Sequence, residues 1–158
     1  DMLADPTQRA EALAELFRTV EPSLWRDLAD SGVLPQGHGE RERWEWRCLA
    51  LYACVRGLVA AGGFNTETAA AVDHLHARLG ESWPAAERAL LAERYGEYGR
   101  IGQELEHAGA HQVTAKLGEA CAAHVAGTAT TAALAELLGT LHESLAEGAA
   151  DAVRQGTR

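Results

Sequence analysis

The sequence predicts an all-α protein, a single-domain bundle of six to seven helices around a central apolar helix at about 40–61. Three observations carry that expectation. From Trp44 to Ala61 the chain reads WEWRCLALYACVRGLVAA, and the fourteen residues after Arg47 hold one charge, Arg56. On a helical wheel, apolar or small side chains occupy almost the whole circumference, so other helices must surround this one. Arg47 and Arg56 interrupt it too much for a membrane span, which wants about 20 predominantly apolar residues. Second, alanine and leucine supply most of the apolar content, and isoleucine occurs once, at Ile101. Unbranched side chains lose less rotamer freedom in a helix. Third, capping residues and glycine stops separate the periodic stretches, and every linker is short.

The first helix is expected over roughly Pro6–Arg18, with Asp5 as N-cap and Pro6 at the first helical position. Leu13, Leu16, Phe17 and Val20 give its apolar stripe. Glu21 and Pro22 then restart the chain into a short helix bearing Leu24, Trp25 and Leu28, which stops at Gly32. Val33–Gly39 is the clearest loop, with one proline and two glycines. The central helix ends at Gly62 and Gly63, as a left-handed C-terminal turn requires. Asn65 or Thr66 caps the next helix, whose stripe is Ala69, Val72, Leu75, His76 and Leu79, and Gly80 closes it.

Ser82 and Pro84 open a long segment to about Glu106, with Leu90, Leu91, Tyr95, Tyr98, Ile101 and Leu105 on its buried side. A helix from about His111 to Ala126 presents Val113, Leu117, Cys121, His124 and Val125. Thr130 or Thr131 caps the last helix, with Leu134, Leu137, Leu138, Leu141 and Leu145 in phase. The polar tail 152–158 is expected to fray. No internal repeat is visible.

The 158 residues suffice for one domain with a substantial core. A net charge of −9 with a lone lysine, Lys116, disfavours nucleic acid, which needs a basic face, and anionic membranes. Cys48, Cys54 and Cys121 fall in apolar helical stretches, and the first two lie on different sides of one helix. Free buried thiols point to a reducing compartment, and no signal peptide is visible, so a cytoplasmic protein is expected.

Candidate functional residues each have a bland alternative. Gly96, Gly99 and Gly102 cost a helix roughly 1 kcal/mol apiece relative to alanine. They mark either a flat surface for a neighbouring helix or second subunit, which is the preferred reading, or a helix weakened beside a ligand pocket. Glu104 and His107 have the E-x-x-H spacing of carboxylate-bridged di-metal bundles, but the chain has no second such pair. Cys121 and His124 share a helix face, and His76 and His142 could converge on them, yet zinc wants three or four ligands. No metal or cofactor is expected. Arg56 must be paired if buried, with a carboxylate such as Asp73 or Glu97 or with a ligand anion. Near the helix C-terminus it can instead snorkel to solvent, and snorkelling or an internal pair is preferred to ligand binding. Trp44 and Trp46 point some 200° apart on their helix, so one should pack under the Val33–Gly39 loop or against another subunit.

Two functions remain. The favoured one is a non-catalytic helical module for protein–protein contact or regulation, acting as a homodimer. The alternative is a small-molecule-binding protein or enzyme with a pocket between the central helix and the Tyr95–Tyr98 helix. There Arg56 would hold an anionic group, with Tyr52, Tyr95, Tyr98, His76 and His124 around it. An open pocket beside Arg56, Tyr52 and Tyr98 would favour the alternative, and a packed centre the first.

Overall fold

The computed structural model describes residues 5–155, and among them six α-helices and no strand are found. They are α1 (Pro6–Asp30), α2 (Glu40–Gly62), α3 (Thr66–Gly80), α4 (Ala85–Glu104), α5 (Ala110–Ala126) and α6 (Ala132–Gln155), with a 3-10 turn at Gly127–Ala129 before α6. None of these helices is long and apolar enough to cross a membrane.

The apolar circumference of α2 has the expected consequence. The helix touches each of the other five, most extensively α6, and Leu49, Leu51, Cys54 and Leu58 are fully buried. The Glu42 carboxylate accepts from the Gly39 N–H at 2.7 Å and starts it, and Gly63 ends it at φ 79°. Asp5 caps α1, Asn65 caps α3, and the Thr131 hydroxyl accepts from the Leu134 N–H at the start of α6.

Three expectations need correction. The chain does not restart at Pro22: α1 runs straight through it. Proline there leaves the Arg18 carbonyl without its helical donor, but Leu13, Phe17, Val20, Leu24 and Leu28 keep one unbroken stripe against the core. The neighbouring Glu21 carboxylate, buried, takes Arg43 and Arg47 of α2 at 3.3 Å each, clamping the proline turn to the central helix. The tail is shorter than expected, since α6 is helical to Gln155 and Val153 is fully buried; residues 156–158 lie outside the described residues. Trp46 is core, whereas Trp44 packs edge-on to Trp83 at 4.8 Å, and it is Trp25 that reaches the loop, at His38.

The long fourth helix is also less buried than its stripe suggested. Only Leu91 and Tyr98 are buried on α4, with Leu90, Tyr95 and Ile101 half-covered. It is pinned to α2 at mid-length by Arg94, whose guanidinium grips both oxygens of the buried Glu45 carboxylate at 2.7 and 2.8 Å. Beyond that point the two helices line a cleft.

Candidate functional site

The cleft encloses about 780 Å³. One side is α2, through Tyr52, Val55, Arg56 and Val59; the other is α4, through Tyr95, Arg100 and the three glycines Gly96, Gly99 and Gly102. Val113 of α5 and Phe64, from the loop after α2, complete it. Phe64 is 87% exposed, the one large hydrophobic side chain so placed among the described residues.

The glycines split by role. A β-carbon at Gly102 would lie 2.5 Å from the Tyr52 hydroxyl, so glycine there seats the tyrosine against the α4 backbone. At Gly99 a β-carbon would meet nothing within 4 Å, and at Gly96 only the flexible tip of Arg100, at 3.8 Å. No neighbouring helix lies close against these two positions within the chain. The close helix contacts are elsewhere, at Gly57 between α2 and α6 and at Gly118 and Gly139 between α5 and α6.

Arg56 is paired, with neither Asp73 nor Glu97 but with Glu143 of α6, at 3.1 Å. The Thr114 hydroxyl donates to the same carboxylate oxygen at 2.6 Å. The two charged side chains remain 20% and 30% exposed, which places the pair at the boundary between core and cleft. Only Nη1 of Arg56 is engaged, so its other nitrogens remain able to donate. Arg100 is exposed and carries no ion pair among the described residues. Glu143 neutralises Arg56, so the donors this cleft offers to an anion are the exposed Arg100 and the uncommitted nitrogens of Arg56, with the Glu106 carboxylate also in the lining.

The other expected site residues do not converge here. Tyr98 is fully buried, its hydroxyl beside the Cys121 thiol, and burial pushes it far above the usual phenol range. His124 turns to Glu97 at 2.8 Å, and Cys121 donates to the Glu45 carbonyl, so the pair does not share a ligand. His76 lies on the far side of Tyr95, ring centroids 4.6 Å apart. Glu104 and His107 do not meet either; His107 sits 3.2 Å from Glu106. Among the described residues, no three His, Cys, Asp or Glu side chains form a group able to hold a metal ion.

His142 is a core residue of α6. It is fully buried, donates Nδ1–H to the Leu49 carbonyl at 3.0 Å and stacks on Tyr52, with Nε2 unpartnered among the described residues. Burial and the nearby Arg56 charge push its pKa down to about 3. Tyr52 and Tyr95 are shifted up by burial and stay protonated at neutral pH, as hydroxyl donors at the cleft wall. Glu143, which no sequence spacing links to Arg56, is the ion-pair partner that periodicity could not find. No family model, curated protein or solved structure matches the chain.

Proposed function

We propose that the chain is a non-catalytic binding protein whose α2–α4 cleft takes a small anion with an apolar body. The observation that carries this reading is the pair of open glycines, Gly96 and Gly99. Each forgoes about 1 kcal/mol of helix stability relative to alanine, and no protein atom lies close enough to require it. The positions make sense as a bare wall against which a bound molecule lies. Arg56 and Arg100 supply the cationic end, and Val55, Val59 and Val113 the apolar lining. The cleft holds no nucleophile beside a base, which favours binding over chemistry. Three buried free thiols fit a reducing, cytoplasmic setting.

The test uses octanoate as probe and 1-octanol as its uncharged control. Octanoate should raise stability with the logarithm of its concentration, by about 2.7 kcal/mol at a hundredfold excess over its Kd, and octanol should not. Gly99→Leu should block the shift without unfolding the chain, since that position is open. No shift with octanoate, or an equal one with octanol, rejects the reading.

The exposed Phe64 favours a second reading, protein contact through the same face, with a second copy as partner. Light scattering separates the two. A monomer at high micromolar concentration rejects the homodimer and leaves the ligand reading standing.

A further inference from the structure

On the opposite side of Tyr95 lies a second cleft of about 480 Å³, between α3 and α4. Asp73, His76, Ala77 and Gly80 line it from one face of α3, and Leu91 and Ala92 face them from α4. Asp73 is exposed and carries no ion pair among the described residues. His76 donates Nδ1–H to the Val72 carbonyl at 3.0 Å, which makes Nε2 the bare acceptor of the ring. That Nε2 is buried without a partner among the described residues, an acceptor left unsatisfied. Burial lowers the His76 pKa, so the ring adds no positive charge. Tyr95 presents an aromatic ring beside His76 and lines the same cleft as Asp73.

The charges are segregated along the cleft. Arg88 stands at the other end, donating to the carbonyls of Gly80 and Trp83. Gly80 lies seven residues from Asp73, about 10 Å of helix rise. A cation beside Asp73 is therefore kept away from the guanidinium, with apolar wall between them.

We propose that this α3–α4 cleft binds a small organic ammonium, its charge held by the Asp73 carboxylate and the Tyr95 ring and its apolar body against Leu91 and Ala92. The acceptors supply what an ammonium needs, a carboxylate and an aromatic ring at one end of the cleft, with the Arg88 guanidinium, bound through Nη1 to two carbonyls, at the other. The site is independent of the α2–α4 cleft; Tyr95 is the wall they share.

The experiment is an NMR titration of the labelled chain with phenethylammonium, and with 2-phenylethanol as the same body without the charge. Phenethylammonium should give saturable shifts at the amides around Asp73–Ala77 and at the Tyr95 ring. The alcohol should bind about tenfold more weakly, and Asp73→Asn should weaken the ammonium by a similar factor while leaving the alcohol unchanged. Asp73 is exposed, so this variant removes no packing. Ala77→Leu, which narrows the cleft from another exposed position, should weaken both. Equal binding of ammonium and alcohol, an Asp73→Asn variant that binds like the parent, or shifts confined to other helices would overturn the proposal. Loss of octanoate binding at the other cleft, with phenethylammonium binding intact, would count against the α2–α4 reading alone.

Discussion

Across the α2–α6 seam, a β-carbon added at Gly57 would lie 2.5 Å from the Ala149 β-carbon and 2.8 Å from the Ala146 carbonyl oxygen. Across the α2–α4 cleft, one added at Gly99 would meet nothing within 4 Å. Both glycines sit in helices and weaken them by about the same amount. On the α6 side the loss is offset by backbone-to-backbone packing that no larger residue permits, which is why α6 is the closest neighbour of α2. On the α4 side nothing in the chain offsets it. One residue type thus serves a rigid seam and an open wall on either flank of the same helix.

The sharpest way to break this contrast is to fill the seam. Gly57→Ala should cost about 3 kcal/mol, because its β-carbon would lie 2.8 Å from the Ala146 carbonyl oxygen and from the Ala150 nitrogen, backbone atoms that cannot swing aside. A denaturant melt showing a loss under about 1 kcal/mol would mean the seam is soft.

His142, on the same flank, makes the seam sensitive to acid. Its folded pKa lies near 3 against an ordinary value of 6.5, so below about pH 6.5 the unfolded chain takes up a proton that the folded chain refuses. Stability is therefore lost as pH falls through that window, by about 2 kcal/mol between pH 7 and pH 5. His142→Gln should flatten the slope by that amount in melts across the range. An unchanged slope would mean the histidine is already charged when folded.

Arg56 stands between the two regions, so its effect should be intermediate. Arg56→Met strands a half-buried Glu143 that keeps the Thr114 hydroxyl, and should cost about 1–2 kcal/mol, between an exposed and a buried pair. A loss of 3 kcal/mol or more would place the pair inside the core.

The smallest effect has the opposite sign. Gly99→Ala should stabilise the chain by about 1 kcal/mol, as an open helical position predicts, while reducing octanoate affinity. A destabilised variant would show that a neighbour closes on α4.

Helix positions and caps were legible because they are local. The circumference of α2, the side chains of Asp5 and Asn65 and the glycine at 63 each act within a few residues. What periodicity does not specify is which helix covers a given face. Arg56 and Glu143 are 87 residues apart, and nothing in either neighbourhood names the other. Tyr95 and Tyr98 look equivalent in the sequence, yet one lines two clefts while the other is buried beside Cys121. The break assigned at Pro22 followed from proline chemistry alone, although the apolar register continued across it. The glycine triplet shows the same limit: its cost was readable, but whether a helix or open space stood opposite was not.

The three thiols provide a clock. Cys48, Cys54 and Cys121 sit on α2 and α5 with essentially no accessible surface, and burial pushes the first two up to about 12 and the third higher still. Alkylation requires a thiolate that a reagent can reach, and the folded chain offers neither. Each labelling event therefore records an excursion in which the helices around that cysteine have parted. Because the residues lie at different depths along the two helices, the order in which a maleimide marks them would trace how the bundle comes apart from within.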